Sequence, residues 1–99
     1  MKISKEAIEK IKKINELSFK LNNGKEGTMS YTLESIKDHA NEINQLFSEN
    51  KEHWAVETGD LMIHCMKMLE MYGFDLNEMF DKCCQRFENK INEKLKEKR

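Results

Sequence analysis

The sequence predicts an all-α protein, and two observations support this prediction. The chain of 99 residues contains no proline and only four glycines, so few positions oppose a helix. Apolar residues also recur every three or four positions along four successive segments, which is the spacing of one helical face. No linker or internal repeat divides the sequence. We therefore expect a single domain over residues 1–99, folded as a four-helix bundle.

The first two predicted helices are separated by a polar loop. The first covers about residues 4–22 and uses Ser4 as its N-cap. Residues 22–27 have the composition of a loop, and the second helix is expected at about residues 31–48. The apolar faces consist of Ile3, Ala7, Ile8, Ile11, Ile14, Leu17 and Leu21 in the first helix, and of Leu33, Ile36, Ala40, Ile43 and Phe47 in the second.

The third predicted helix, at about residues 52–72, is the most apolar and is expected at the centre of the bundle. Apolar residues occupy most of its circumference, which indicates burial by several neighbours. Three other short helices cannot cover such a surface, so we expect a homodimer, or a tetramer, formed through the central helices. Gly59 lies inside this helix and indicates either a close backbone approach or ordinary helix packing.

The fourth predicted helix covers about residues 76–96. Gly73 suits the position that follows the end of the third helix. Asp75 is expected to cap the fourth helix, with Glu78 three residues later as in a capping box. The apolar face of this helix consists of Leu76, Met79, Phe80, Cys83, Phe87, Ile91 and Leu95.

Charge and hydropathy exclude two classes of partner. The net charge is −1, so no overall field attracts the protein to nucleic acid or to an anionic membrane. No apolar run approaches the roughly 20 residues that span a bilayer. The cysteines Cys65, Cys83 and Cys84 lack the spacing of a zinc site, and we interpret them as buried or half-buried apolar residues in a reducing compartment. These observations predict a cytoplasmic protein.

Glu57 and Asp60 are the main candidates for chemistry. They stand three residues apart, so both project from one side of the third helix. Burying two like charges is unfavourable unless a cation or hydrogen-bond donors compensate, and a divalent metal suits carboxylate oxygens. The alternatives are salt bridges to lysines, or a side of the helix that faces water. His39, His53 and His64 show no joint metal-ligand pattern, so packing or surface roles are expected of them.

Three segments in order resemble the MazG-like nucleoside triphosphate pyrophosphohydrolases. Residues 57–61, Glu-Thr-Gly-Asp-Leu, resemble the second acidic motif of that family, Glu-x-x-Asp. Residues 72–76, Tyr-Gly-Phe-Asp-Leu, are similar to the turn that follows it, and residues 80–90 are similar to the family's last helix. The resemblance extends over about residues 30–92. It implies a MazG-like bundle for the fold.

The family's first motif, Glu-Glu-x-x-Glu, corresponds to residues 34–38 of this chain, Glu-Ser-Ile-Lys-Asp. Ser35 replaces one expected acidic ligand. Val56 stands where a further glutamate often precedes the second motif, and Cys84 stands where an asparagine is common. The outer acidic positions are filled by Glu34 and Asp38, which also lie opposite the apolar stripe of their helix, where a solvated face would place them.

The resemblance implies Mg²⁺-dependent hydrolysis of a nucleoside triphosphate to the monophosphate and pyrophosphate. Mg²⁺, which Mn²⁺ can replace, would be bound by Glu34, Asp38, Glu57 and Asp60, with water completing six oxygen ligands. Glu57 and Glu34 would be catalytic, the latter by orienting the attacking water.

Basic residues on the last helix are candidates for contacts with the phosphates. Lys82, Arg86 and Lys90 follow one another at intervals of four, and they either bind phosphate or form a solvated face. An alternative function is a non-catalytic helical dimer of the same scaffold that binds a protein partner. Ser35 and Val56 favour this alternative.

Overall fold

Four helices make up the structure, a computed structural model that describes residues 2–98. In chain order they are α1 (Lys5–Leu21), α2 (Lys25–Ser48), α3 (Trp54–Met71) and α4 (Leu76–Glu97). No strand occurs within residues 2–98, so the predicted all-α class is confirmed. None of the described helices is long and apolar enough to cross a membrane.

The predicted caps form at three helix ends. Ser4 Oγ accepts a hydrogen bond from the Ala7 N–H at 3.0 Å where α1 begins. Asp75 Oδ1 accepts one from the Glu78 N–H at 2.9 Å where α4 begins. Gly73 follows the end of α3 with a φ of +82°, a left-handed conformation that glycine adopts without strain. These contacts fix the ends of α1, α3 and α4 close to their predicted positions.

The second helix begins at Lys25, well before its predicted start at residue 31. The loop between α1 and α2 is therefore confined to residues 22–24. Gly27 permits this tight corner, because a Cβ there would clash with the Asn22 carbonyl oxygen. The Thr28 hydroxyl donates to the Gly24 carbonyl at 2.8 Å, which supports the first turn. Residues 25–27 of the predicted loop are thus part of α2, and Gly27 lies against the Asn22 backbone at the end of α1.

α2 and α3 form an antiparallel hairpin whose contact face is polar. Phe47 and Trp54 pack edge to face at one end, with ring centroids 5.4 Å apart. At the other end the Lys25 ammonium lies 4.2 Å from the centroid of the Tyr72 ring. Between these ends runs a row of polar side chains at helical spacing, which we call the polar seam: Thr28, Thr32, Ser35 and His39 of α2, and Glu57, Asp60, His64 and Lys67 of α3.

Small hydroxyl side chains fill the buried half of the polar seam. Thr28 and Thr32 are fully buried, and each hydroxyl donates to a backbone carbonyl one turn earlier in α2. Because these hydroxyls are satisfied within their own helix, they need no partner on α3. Lys67 is also buried at this end, and its burial lowers the pKa of its ammonium. The charged groups at the opposite end of the seam form the site described below.

The apolar stripe predicted for α2 is only partly buried: Ile36 and Ile43 are half-buried, and Phe47 contacts Trp54 of α3. Leu33 and Phe47 of that stripe are 50% and 65% exposed. α3 is also not surrounded by other helices of its own chain, since Val56 and Met62 are more than half exposed. A Cβ on Gly59 would meet no atom within 4 Å, so no backbone of this chain approaches there. One chain therefore leaves part of α3 uncovered, as the breadth of its apolar surface predicted.

A small core joins α1 to the C-terminal half of α3 and the start of α4. Its buried apolar residues include Ile11, Met71 and Leu76. Asn15 is buried beside them, and its amide donates to the Lys67 carbonyl at 3.1 Å and to Glu70 Oε1 at 2.7 Å. This core is modest for a chain of 99 residues.

Most of α4 projects from the rest of the molecule. Every residue from Cys84 to Lys98 is exposed, including the apolar side chains Phe87, Ile91 and Leu95. Cys65 and Cys84 are exposed and only Cys83 is half-buried, so the expectation of burial is wrong for two cysteines. The radius of gyration is 16.2 Å, against about 13 Å for a compact domain of this length. The single chain thus leaves much of its apolar surface uncovered.

Candidate metal centre

Three side chains converge at the charged end of the polar seam: His39 of α2 and Glu57 and Asp60 of α3. His39 Nε2 lies 3.3 Å from Glu57 Oε2 and 3.6 Å from Asp60 Oδ2. One ligand atom from each residue lies within 4.8 Å of the other two. Glu57 and Asp60 stand one turn apart on α3, and the antiparallel packing of α2 places His39 opposite both.

The orientation of His39 is fixed by its own helix. Its Nδ1 lies 2.8 Å from the Ser35 carbonyl oxygen, one turn earlier. A carbonyl oxygen only accepts hydrogen bonds, so Nδ1 carries the proton of this contact. Nε2 then faces two carboxylates, which also only accept. Either a proton on Nε2 or another cation must lie between these three atoms, because three lone pairs would otherwise repel one another.

The surrounding groups shift the pKa values of His39 and His64 in opposite directions. The hydrogen bond to the Ser35 carbonyl raises the pKa of His39, burial opposes it, and the negative charges of Glu57 and Asp60 raise it further. Burial lowers the pKa of His64, and the ammonium of Lys67 lowers it further. The His64 ring packs edge to face on His39 with centroids 5.2 Å apart, and its Nδ1 is buried without a hydrogen-bond partner among the described residues. His64 therefore borders the site beside His39.

The centre is closed on one side and open on the other. The Glu57 side chain is 13% exposed, and its second oxygen, Oε1, lies 3.3 Å from His53 Nε2. The Asp60 side chain is 54% exposed. A cation held by the three side chains would thus have protein on the side of Glu57 and solvent on the side of Asp60. An open side is what a site needs to admit water and substrate.

The structure brings together only part of the predicted site. Glu57 and Asp60 do share one centre. Glu34 and Asp38 lie exposed on α2 and are not among the side chains whose ligand atoms converge there. Ser35, which replaces an expected acid, is buried on the face of α2 that points to α3.

The predicted phosphate-binding residues lie elsewhere. Lys82, Arg86 and Lys90 are exposed on α4. Lys82 and Arg86 border a shallow cavity with Met79, Cys83 and Gln85, and this cavity includes none of the residues of the metal centre.

Two of the functional candidates, His39 and His53, were given no site role by the sequence. His53 stands four residues before Glu57 on neighbouring turns, a spacing that predicts contact on one helix. His39 carries a weaker signal, because its approach to Glu57 and Asp60 depends on the register of α2 against α3. An apolar stripe normally determines that register. In this hairpin the residues of the polar seam lie at the contact of α2 with α3.

The donor atoms suit a divalent cation but not Mg²⁺ in particular. Two carboxylates of one helix supply the charge that any divalent ion requires. The third donor is an imidazole nitrogen, which zinc, iron, cobalt and manganese accept more readily than Mg²⁺ does. The residues therefore fit a metal, and they depart from the set of four carboxylates that the sequence predicted.

Comparison with models of protein families, with curated proteins and with solved structures finds no match to this chain. The resemblance to the MazG-like enzymes thus stays a prediction that rests on the motifs of the sequence.

Proposed function

We propose that this protein is a metal-dependent hydrolase that converts a nucleoside triphosphate to the monophosphate and pyrophosphate. The observation that carries the proposal is the convergence of His39 Nε2 with the carboxylates of Glu57 and Asp60, three groups that a bound cation or a proton on Nε2 would hold together. The MazG-like motif at residues 57–61 supplies the substrate class. A divalent cation bound there would polarise the phosphates and lower the pKa of an attacking water.

The chemistry assigns a task to each side chain of the centre. Water would form a bond to the α-phosphorus while the bond from that phosphorus to the bridging oxygen breaks, so that pyrophosphate leaves. Glu57 would hold the metal, with His53 orienting its second oxygen. Asp60, the most exposed of the three, is the side chain best placed to contact the water as well as the metal.

An aromatic surface beside the centre supports a nucleotide as the substrate. Trp54 stands one helical turn before Glu57, and its ring contacts that of Phe47. Both rings retain exposed area, 37% for Trp54 and 65% for Phe47. A flat ring at this position could stack on a base while the phosphates reach the metal.

The active form is proposed to be a homodimer. The chain exposes 7980 Å², whereas a compact monomer of its mass would expose about 5,900 Å². Two copies that each buried the difference would form an interface of about 4,000 Å², within the range of obligate homodimers. α4 carries five basic and five acidic residues, so its copies would not repel each other. A dimer could also bring Lys82, Arg86 and Lys90 of one copy towards the centre of the other.

One observation favours a second candidate function, a non-catalytic dimer that binds a protein partner. The converging cluster contains only two carboxylates, because Ser35 replaces the acid expected on the face of α2 that points to α3. Under this alternative the His39 imidazolium alone would neutralise Glu57 and Asp60, and no nucleotide would be consumed.

The first test is a screen of nucleoside triphosphates for released pyrophosphate with Mg²⁺, Mn²⁺, Zn²⁺ or no metal. We expect turnover that requires a divalent metal and stops when a chelator is added. The cluster contains two carboxylates, so a metal ion is needed there to bind and polarise the phosphates. Asp60→Asn keeps the shape of the side chain and should remove the turnover. Release of pyrophosphate by neither protein under any metal would favour the protein-binding alternative.

A further inference from the structure

We infer that His39 is a direct ligand of the metal, and that it makes the centre selective for a transition-metal dication over Mg²⁺. The inference deepens the proposed function and rests on it for the role of the metal. It departs from the sequence-based expectation of a magnesium site made of carboxylates alone.

The orientation of the His39 imidazole favours a role as a metal ligand. In metal sites a ligating histidine usually donates its other ring N–H to a carbonyl or carboxylate, which fixes its tautomer and aims the free nitrogen at the metal. His39 has this arrangement, since Nδ1 contacts the Ser35 carbonyl at 2.8 Å. Nε2 is consequently the nitrogen that faces Glu57 and Asp60.

The spacing of the donor atoms also favours a shared metal ion. Nε2 lies 3.3 Å and 3.6 Å from the nearest carboxylate oxygens. Donor atoms that share one ion with bonds of about 2.0–2.2 Å lie about 3 Å apart. The ligand atoms of Glu57 and Asp60 lie within 4.8 Å of each other, and the Asp60 side chain is half exposed, so a movement of this side chain would bring the set closer to that spacing.

The donor atoms of the cluster determine which divalent cation it prefers. Mg²⁺ takes oxygen ligands in a nearly ideal octahedron and rarely accepts imidazole, whereas nitrogen donors favour the later divalent ions. Glu34 and Asp38 lie outside the cluster, so they do not raise the oxygen count within it. One nitrogen and two carboxylates leave positions for water and for phosphate oxygens. This is a donor set that Mn²⁺, Co²⁺ and Zn²⁺ accept.

Pulsed electron paramagnetic resonance of bound Mn²⁺ tests the inference on the complete chain. A nitrogen bonded to Mn²⁺ modulates the electron spin echo, so the wild type should show modulation from ¹⁴N. Growth on ¹⁵N-histidine should replace that pattern with the pattern of ¹⁵N, without any substitution in the protein. Competition should show Zn²⁺ and Co²⁺ bound more tightly than Mg²⁺, because an imidazole ligand favours the later divalent ions.

Two substitutions locate the nitrogen. His39→Gln should abolish the modulation and reduce the selectivity for Zn²⁺ and Co²⁺ over Mg²⁺, while its helical circular dichroism stays unchanged. His53→Gln is the matched control, because His53 contacts only the outer oxygen of Glu57, and it should keep the modulation. Bound Mn²⁺ without nitrogen modulation, or modulation lost in His53→Gln and kept in His39→Gln, would overturn the assignment of His39.

The outcome is separable from that of the hydrolysis assay. An oxygen-only Mn²⁺ site with normal pyrophosphate release would refute the ligand role of His39 and leave the proposed function intact. Nitrogen ligation in a protein that releases no pyrophosphate would support His39 and refute the hydrolase.

Discussion

Replacing Glu57 by glutamine is expected to lower pyrophosphate release by about two to three orders of magnitude, the usual loss when one preorganised electrostatic contact to a transition state is removed. Glu57 is the most buried acid of the centre and the only one that contacts both His39 and His53. The amide has the same shape but no charge, so the metal would lose an anionic ligand. The two histidines would lose their shared acceptor. Initial rates with saturating Mn²⁺ measure the effect.

Two further variants test whether the loss of activity is specific to Glu57. Glu42→Gln, an exposed acid on the same helix as His39, should keep the wild-type rate because it removes the same charge from a side chain that does not belong to the cluster. Glu34→Gln distinguishes the sequence-based assignment from the observed geometry. If Glu34→Gln is inactive while Glu57→Gln turns over normally, the catalytic centre lies on the exposed face of α2 and not in the polar seam.

Replacing Phe87 by glutamate is expected to dissociate the dimer and to weaken association by at least about a thousandfold. Phe87 is 67% exposed in the single chain and lies in the middle of the apolar stripe of α4. If the proposed dimer buries this exposed stripe of α4, each copy would lose a buried ring and gain an unpaired charge, about 3–5 kcal/mol for each copy. Sedimentation across a dilution series measures the dissociation constant directly.

Asn89→Glu provides the control for this prediction. Asn89 lies on the opposite side of α4, where it accepts a hydrogen bond from the exposed Gln85 side chain. The added charge is the same, but the dimer should persist. A melting temperature that rises with protein concentration would independently support the dimer, since association stabilises only the folded chain. A wild-type protein that sediments as a folded 11.8 kDa monomer at all concentrations would contradict it.

The sequence predicted most of the secondary structure for identifiable reasons. Caps at Ser4 and Asp75 and the glycine after α3 are local signals, and each forms the contact that its residue type favours. The start of α2 was predicted too late, because glycines and polar residues in the segment 22–27 suggested a loop. Only the contact between Gly27 and the Asn22 backbone makes a glycine favourable inside that helix.

The candidate site was predicted in part. Glu57 and Asp60 lie on one helix, so their spacing alone placed them together. His39 joins them through the packing of α2 on α3, which depends on the buried Thr28, Thr32 and Ser35. Periodicity favoured a neighbouring face of α2, about a quarter turn away and with larger apolar residues, as the contact surface. That rule does not apply when a helix keeps its apolar face for a partner. Small hydroxyl side chains that are hydrogen-bonded within their own helix then allow the neighbouring helix to approach closely.

The position of a bound metal tests the central claim most directly. Crystals grown with Mn²⁺ and diffraction collected at the manganese absorption edge would locate the ion by its anomalous signal. The account predicts one peak about 2.0–2.3 Å from His39 Nε2 and from a carboxylate oxygen of each of Glu57 and Asp60, the distances expected for such ligands. A peak bound by Glu34 and Asp38 on the exposed face of α2, or well-ordered His39, Glu57 and Asp60 side chains joined only to one another at saturating Mn²⁺, would contradict it.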